Sequence, residues 1–119
     1  ICFGGLCPGE ELFMKPELAF MYMAVGAKDY KDLKVVVENQ YASMYVVGVG
    51  DYDQAASAAK ELKEEGVKII ELCGGFGAVG LAKVKKAVGP EVPVGAVRFD
   101  FHPAMGFKTG DDIFVKWDE

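Results

Sequence analysis

Val67-Lys-Ile-Ile-Glu-Leu-Cys-Gly-Gly-Phe-Gly77 is an apolar, β-branched run that stops at Cys73, turns through glycines and passes into a helix-forming segment. A strand that turns straight into a helix is the repeating unit of a parallel α/β sheet. The same corner leaves backbone N–H groups at the helix start without intrahelical partners, and with the helix dipole behind them these groups favour an anion. The only arginine, Arg98, ends the next expected strand, and the only histidine, His102, follows just beyond it. In a parallel sheet these strand ends share one rim, the usual place for a ligand.

Outward from this corner the chain alternates between strand and helix patterns. Residues 17–25 and 43–50 are apolar on both faces, as buried strands are. Residues 28–40 carry two signals: Tyr30, Leu33, Val36 and Val37 make a helical stripe, while three consecutive valines prefer a strand. The stripe is taken as decisive, and a helix is expected there. Asp51 and Gln54 have capping-box spacing ahead of Ala55, Ala58, Ala59 and Leu62, and Gly66 suits the end of that helix. A third helix runs from about Phe76 or Gly77 to a Gly89-Pro90 stop. Residues 92–99 form a fourth strand, with Pro93 tolerated at its start. Residues 101–110 read as loop and 111–117 as a short fifth strand at the edge.

This order predicts a small single-domain α/β fold. Its sheet of four to five strands is mainly parallel, with about three helices and either a flavodoxin-like or a sequential strand order. Strands apolar on both sides need both sheet faces covered, and three helices are few for two faces. A homo-oligomer that buries the remainder is therefore expected. Residues 1–13 show no clear period, and Met14-Lys15 reads like a natural start. The leading segment is expected to come from an expression vector or an unusual upstream start, with one domain over residues 14–119.

Composition narrows the classes further. The chain has 119 residues, 51% of them hydrophobic, and a formal charge of −5. That supports a real core and excludes a disordered chain. With one arginine and lysines scattered over helix surfaces there is no basic stripe, so no nucleic-acid partner is expected. No apolar run approaches the roughly 20 residues that cross a bilayer, so no membrane partner is expected either. Three cysteines in an acidic, lysine-rich chain point to a reducing cytoplasm. Cys2 and Cys7 are spaced C-x4-C with no second ligand pair, which supports neither a metal nor a disulfide.

The candidate site is built from the rim. Gly74, Gly75, Phe76 and Gly77 would bring backbone close to a phosphate or carboxylate, or would simply make the turn and let the helix pack. The pattern is neither a full G-x-G-x-x-G nor a Walker A loop, so no nucleotide cofactor is implied. Arg98 on a buried strand needs either a structural carboxylate, such as Asp100, Glu71 or one at the C-terminus, or an anionic ligand held bidentately. His102 is a candidate acid or base oriented by a carboxylate, set against an ordinary surface histidine. Cys73 is a candidate nucleophile before a helix N-terminus, set against a buried structural thiol. Glu71 shares its strand face and would pair with Arg98 or serve as a base. Glu71, Asp100, His102, Asp111 and Asp112 are oxygen-rich enough for Mg²⁺ or Mn²⁺ as a weaker alternative, and one histidine without paired thiols argues against zinc.

Val46-Val-Gly-Val-Gly-Asp-Tyr52, Glu65-Gly66, Ile70-Glu-Leu-Cys-Gly-Gly-Phe-Gly77, Val92-Pro-Val-Gly-Ala-Val-Arg-Phe-Asp100, His102-Pro103 and Gly110-Asp-Asp-Ile-Phe114 together resemble a family of short, uncharacterised prokaryotic α/β proteins, one of the domains of unknown function. The resemblance covers roughly residues 17–114 and implies a small cytoplasmic domain with no assigned reaction. Function must then be argued from the site. The leading expectation is a binding domain for a small anionic metabolite, held by the amides of residues 74–77 and by Arg98, with Asp100 and His102 at the mouth. The rival is a lyase, isomerase or hydrolase in which His102 moves the proton and Glu71 or Cys73 is the second catalytic group. The third reading is a ligand-free structural or regulatory oligomer, in which Arg98 closes the rim by pairing with Glu71 or Asp100 and no pocket stands open.

Overall fold

The computed structural model describes residues 15–117. The expectations for the leading segment 1–13, for the boundary at Met14 and for Cys2 and Cys7 lie outside the described residues. Five strands form one mixed sheet: β1 Glu17–Met23, β2 Lys34–Glu38, β3 Ser43–Val49, β4 Ile69–Leu72 and β5 Val94–Ala96. Three α-helices accompany them, α1 Tyr52–Glu64, α2 Ala78–Val88 and α3 Gly110–Phe114, with 3-10 turns at Tyr30–Leu33 and Pro103–Met105. The spatial order is β2-β3-β1-β4-β5. β3, β1, β4 and β5 run parallel, and β2 is antiparallel to β3. Because β1 lies between β3 and β4, the sequential order is excluded. A flavodoxin-like plan is not established, since it places helices on both faces of the sheet and α1 and α2 here share one.

Two expected elements are corrected. Residues 28–40 are not a helix. Asp29 caps a single 3-10 turn by accepting a hydrogen bond from the Lys31 amide at 2.9 Å, and the chain then enters β2. The β-branched run Val35-Val36-Val37 prevails because β3 offers it a full antiparallel ladder, from Lys34 opposite Val47 to Glu38 opposite Ser43. The fifth strand expected over 111–117 is instead α3. Thr109 starts it with a capping box: its hydroxyl accepts from the Asp112 amide at 3.1 Å, and the Asp112 carboxylate accepts from the Thr109 amide at 3.2 Å.

α1 forms where its caps predict. The Asp51 carboxylate accepts from the Gln54 amide at 2.8 Å. Gln54 does not close the box. Its side chain accepts from the Gly50 amide and donates to the Ala27 carbonyl, tying the end of β3 to the loop after β1. At the far end Val67 donates to the Leu62 carbonyl and Gly66 to the Lys63 carbonyl, a Schellman ending that sets Gly66 at a φ of 105°. The narrow stripe of Ala55, Ala58, Ala59 and Leu62 is fully buried.

The core lies between the helices and one sheet face. Ala19, Met21, Val47, Val49, Ile70 and Leu72 point into it and meet the α1 stripe, Val84 and Val88 of α2, and Phe76. Each fully buried large side chain of this set contributes about 1.5–3 kcal/mol relative to exposure. The alternate residues of the strands face the other way. Leu18, Phe20, Tyr22, Met44 and Val46 are half-buried there, and Val35, Val37 and Ile69 are exposed. Among the described residues no helix lies over that face.

Candidate functional site

The rim expected to hold a ligand is the C-terminal edge of β1, β4 and β5. β4 ends at Leu72, and Cys73 extends its pairing by donating from its amide to the Met21 carbonyl at 2.9 Å. The Cys73 sulfur accepts from two backbone amides, Met23 at 3.3 Å and Gly75 at 3.2 Å. It is thus met by β1 and its own turn, and not by the first turn of α2. Among the described residues Cys73 is free and half-buried.

The start of α2 is already filled. Gly77 is its N-cap and has no side chain to cap with. The Tyr52 hydroxyl, from the first turn of α1, accepts from the Gly77 amide at 2.9 Å and donates to Asp111 Oδ1 at 2.7 Å. The Asp111 carboxylate, from α3, accepts from the Val79 amide at 3.0 and 3.2 Å and from the Gly80 amide at 3.3 Å. The anion that the helix start favours is therefore a side chain of the same protein. This corrects the premise that these amides stand free. The glycines follow from it: a Cβ on Gly77 would lie 2.4 Å from the Asp111 carboxyl carbon, and one on Gly80 would lie 2.5 Å from the Tyr52 ring. Burial, and then the Asp111 carboxylate, raise the Tyr52 phenol well above its ordinary pKa, with the Gly77 amide pulling the other way.

Phe76 belongs to the core and not to the rim. It is fully buried and stacks on Tyr52 with ring centroids 5.8 Å apart. Gly74 does reach the rim. A Cβ there would lie 2.3 Å from the Phe99 ring and 3.2 Å from His102 Cδ2, so the missing side chain lets both rings close on the turn. Phe99 and His102 meet edge to face at 4.7 Å. His102 Nδ1 accepts from the Ala104 amide at 3.0 Å, and its backbone pairs with Lys108. A backbone N–H can only donate, so Nδ1 carries the lone pair and Nε2 carries the hydrogen. No carboxylate orients this ring among the described residues.

Arg98 is exposed and donates from Nη1 to the Phe99 carbonyl at 3.1 Å. Among the described residues it forms no ion pair, so neither Glu71 nor Asp100 closes the rim, and the carboxylates of residues 118–119 lie outside the described residues. Asp100 is exposed beside it. Glu71 lies elsewhere, on the helix-free face of the sheet, paired in register with Phe20 and Gly95. The structure thus gathers Gly74, Phe99 and His102, with Arg98 next to Phe99 and bonded to its carbonyl. Glu71 and Phe76 stand apart, and Gly77 faces Asp111. Asp111 and Asp112 are both engaged in capping, and among the described residues no three His, Cys, Asp or Glu side chains converge as metal ligands.

Tyr52 carries no local sequence signal of its role at the start of α2, although its spacing of three residues before Ala55 places it on the buried stripe of α1. A small cleft lies away from the rim, between the 3-10 turn Tyr30–Leu33 and α1, lined by Tyr30, Lys34, Glu61 and Leu62. Its volume of about 30 Å³ has room for only one or two waters. No described helix is long and apolar enough to cross a membrane.

No curated protein and no solved structure matches the chain. Residues 16–112 match a family spanning the whole sheet, both long helices and the start of α3. The chain therefore belongs to the family of unknown function DUF6506.

Proposed function

We propose that the protein binds a small metabolite bearing a carboxylate or phosphate at the rim formed by Gly74, Arg98, Phe99 and His102, in a reducing cytoplasm. One observation carries this reading: the guanidinium of the only arginine has a backbone carbonyl as its partner and no carboxylate among the described residues. An exposed guanidinium in that state keeps its bidentate edge for an oxyanion. The His102 Nε2–H is a second donor, and the Phe99 ring, 41% exposed, offers an apolar floor. The α2 amides of Gly77, Val79 and Gly80 take no part, because Tyr52 and Asp111 hold them.

The enzyme reading with His102 as base draws no support from its tautomer, since the nitrogen left outside the Ala104 contact already bears a hydrogen. The ligand-free reading joins a closed rim without a pocket to an Arg98 pair with Glu71 or Asp100, and neither pair forms.

Calorimetric titration with inorganic phosphate and a panel of phosphorylated and carboxylated metabolites tests the proposal. At least one compound should bind, Arg98→Ala should weaken it about tenfold or more, and Arg98→Lys should recover only part of the loss. No binding across the panel, or equal binding by Arg98→Ala, rejects it.

A further inference from the structure

We propose that the helix-free face of the sheet is the interface of a symmetric dimer, and that its occupant is a second copy of this chain. The face is bare for a reason legible in the topology. In a chain that alternates strands and helices, the segment after the first strand normally supplies a helix to the sheet face. Here that segment becomes the edge strand β2. α1 and α2 cover one face, and the other keeps Leu18, Phe20, Met44 and Val46 half-buried with Val35 and Val37 exposed.

The face has the size of an interaction patch. Five strands about 4.8 Å apart, three to seven residues long and about five on average, at about 3.3 Å each, span roughly 24 Å by 17 Å, or about 400 Å² in projection. Side chains standing off the pleat raise the accessible area above this figure. Specific interfaces start at about 600 Å² per partner, and apolar patches of about 300–600 Å² on monomers commonly mark interaction sites. The shape suits a second sheet as well. Gly48 and Gly95 lie on this face, and the Tyr22 ring lies across Gly48, where a Cβ would come within 2.7 Å of it. The surface is thereby levelled, as face-to-face sheet packing at about 10 Å requires.

The chemistry selects the occupant. Among the paired residues of this face, Glu71 is the only charged one, and no lysine or arginine joins it. Anionic lipid or nucleic acid needs cations, and the chain carries a net charge of −5. A second copy needs none, because a two-fold axis sets the same apolar patch against itself. Glu71 sits on β4, one strand from the central β1, so the axis places the two carboxylates on opposite sides of the interface.

Sedimentation equilibrium of the full chain over a concentration series tests this. Wild type should approach twice the chain mass of 12.8 kDa. Phe20→Glu should return it to the single-chain mass. Val37→Lys changes a residue 58% exposed on an edge strand, so the fold should survive with an unchanged far-UV spectrum while dimerisation weakens about tenfold or more. If Phe20→Glu fails to fold, Val37→Lys alone decides. A wild type that stays at 12.8 kDa throughout, including one that instead floats with neutral lipid vesicles, overturns the proposal. A dimer as tight in Val37→Lys as in wild type overturns it too.

Discussion

Tyr52 donates to Asp111 across 2.7 Å, and that one bond joins the first turn of α1 to α3 over the start of α2. The phenol is 3% exposed, stacks on Phe76 and lies 5.0 Å from the Phe114 ring. Its hydroxyl is saturated, receiving from Gly77 and giving to Asp111. Three elements distant in sequence thus meet at a single oxygen atom. The helix dipole, the carboxylate and the phenol reinforce one another in a half-buried setting.

The two side chains should be energetically coupled. Tyr52→Phe leaves the buried Gly77 amide unsatisfied and should cost about 1–3 kcal/mol; Asp111→Ala should cost a similar amount by exposing the Val79 and Gly80 amides. The double variant should lose less than the sum, by about 0.5 kcal/mol or more. Urea unfolding of the four proteins measures this directly, and strict additivity would show that the two residues act separately.

The glycines of the corner should differ sharply in tolerance. At Gly80 an added methyl meets the buried Tyr52 ring, which cannot leave, so Gly80→Ala should destabilise by about 1–3 kcal/mol despite alanine's better helix propensity. At Gly74 the methyl meets Phe99, which is 41% exposed and free to swing outward. Gly74→Ala should therefore cost under about 1 kcal/mol. It should also shift the His102 ring resonances, because Phe99 packs against that ring. Equal costs at the two positions would refute the assignment of Gly80 to the Tyr52 contact.

Alkaline pH should reveal Tyr52. Its folded pKa is raised above the ordinary 10.0. Below pH 10 the phenol is protonated in both states, and its contribution to stability is complete. Above it the unfolded chain releases the proton while the folded protein retains it, so stability falls as pH rises, by at most about 1.4 kcal/mol per pH unit from this group. Thermal melts between pH 8 and pH 11 should fall less steeply for Tyr52→Phe than for wild type. Parallel curves would mean that the phenol is not protected in the folded state.

What the sequence discloses follows from the range of each interaction. The caps of α1, the Gly66 ending and the strand–glycine–helix corner are legible because their partners lie within a few residues. Residues 28–40 mislead because a helical stripe and a β-branched run coincide there, and only pairing with β3 decides between them. α3 did announce itself: Thr109 and Asp112 have capping-box spacing, though the apolar residues after them read as an edge strand. The site divides along the same line. That the start of α2 wants an anion is a local inference and holds. That the anion is Asp111, 32 residues beyond Val79, is settled by tertiary packing. The helix start, read as a ligand seat, is a structural joint. Around Arg98 the engagements are local: its guanidinium meets the Phe99 carbonyl, His102 Nδ1 accepts from the Ala104 amide, and the Phe99 and His102 rings pack together.

α3 itself offers the last test. It has five residues and is too short to persist alone. Three features hold it in place: the Thr109–Asp112 capping box, the Asp111 carboxylate on the amides of α2, and Phe114 against the Tyr52 ring. Thr109→Ala removes the first and should cost about 0.5–2 kcal/mol. Once α3 frays, Asp111 loses its fixed geometry, so Thr109→Ala should also speed amide exchange at Val79 and Gly80. In an Asp111→Ala background the joint is already open, and the same substitution should cost less than it does in wild type. A Thr109→Ala protein in which Val79 and Gly80 exchange as slowly as in wild type would show that the carboxylate keeps its seat without the helix that carries it.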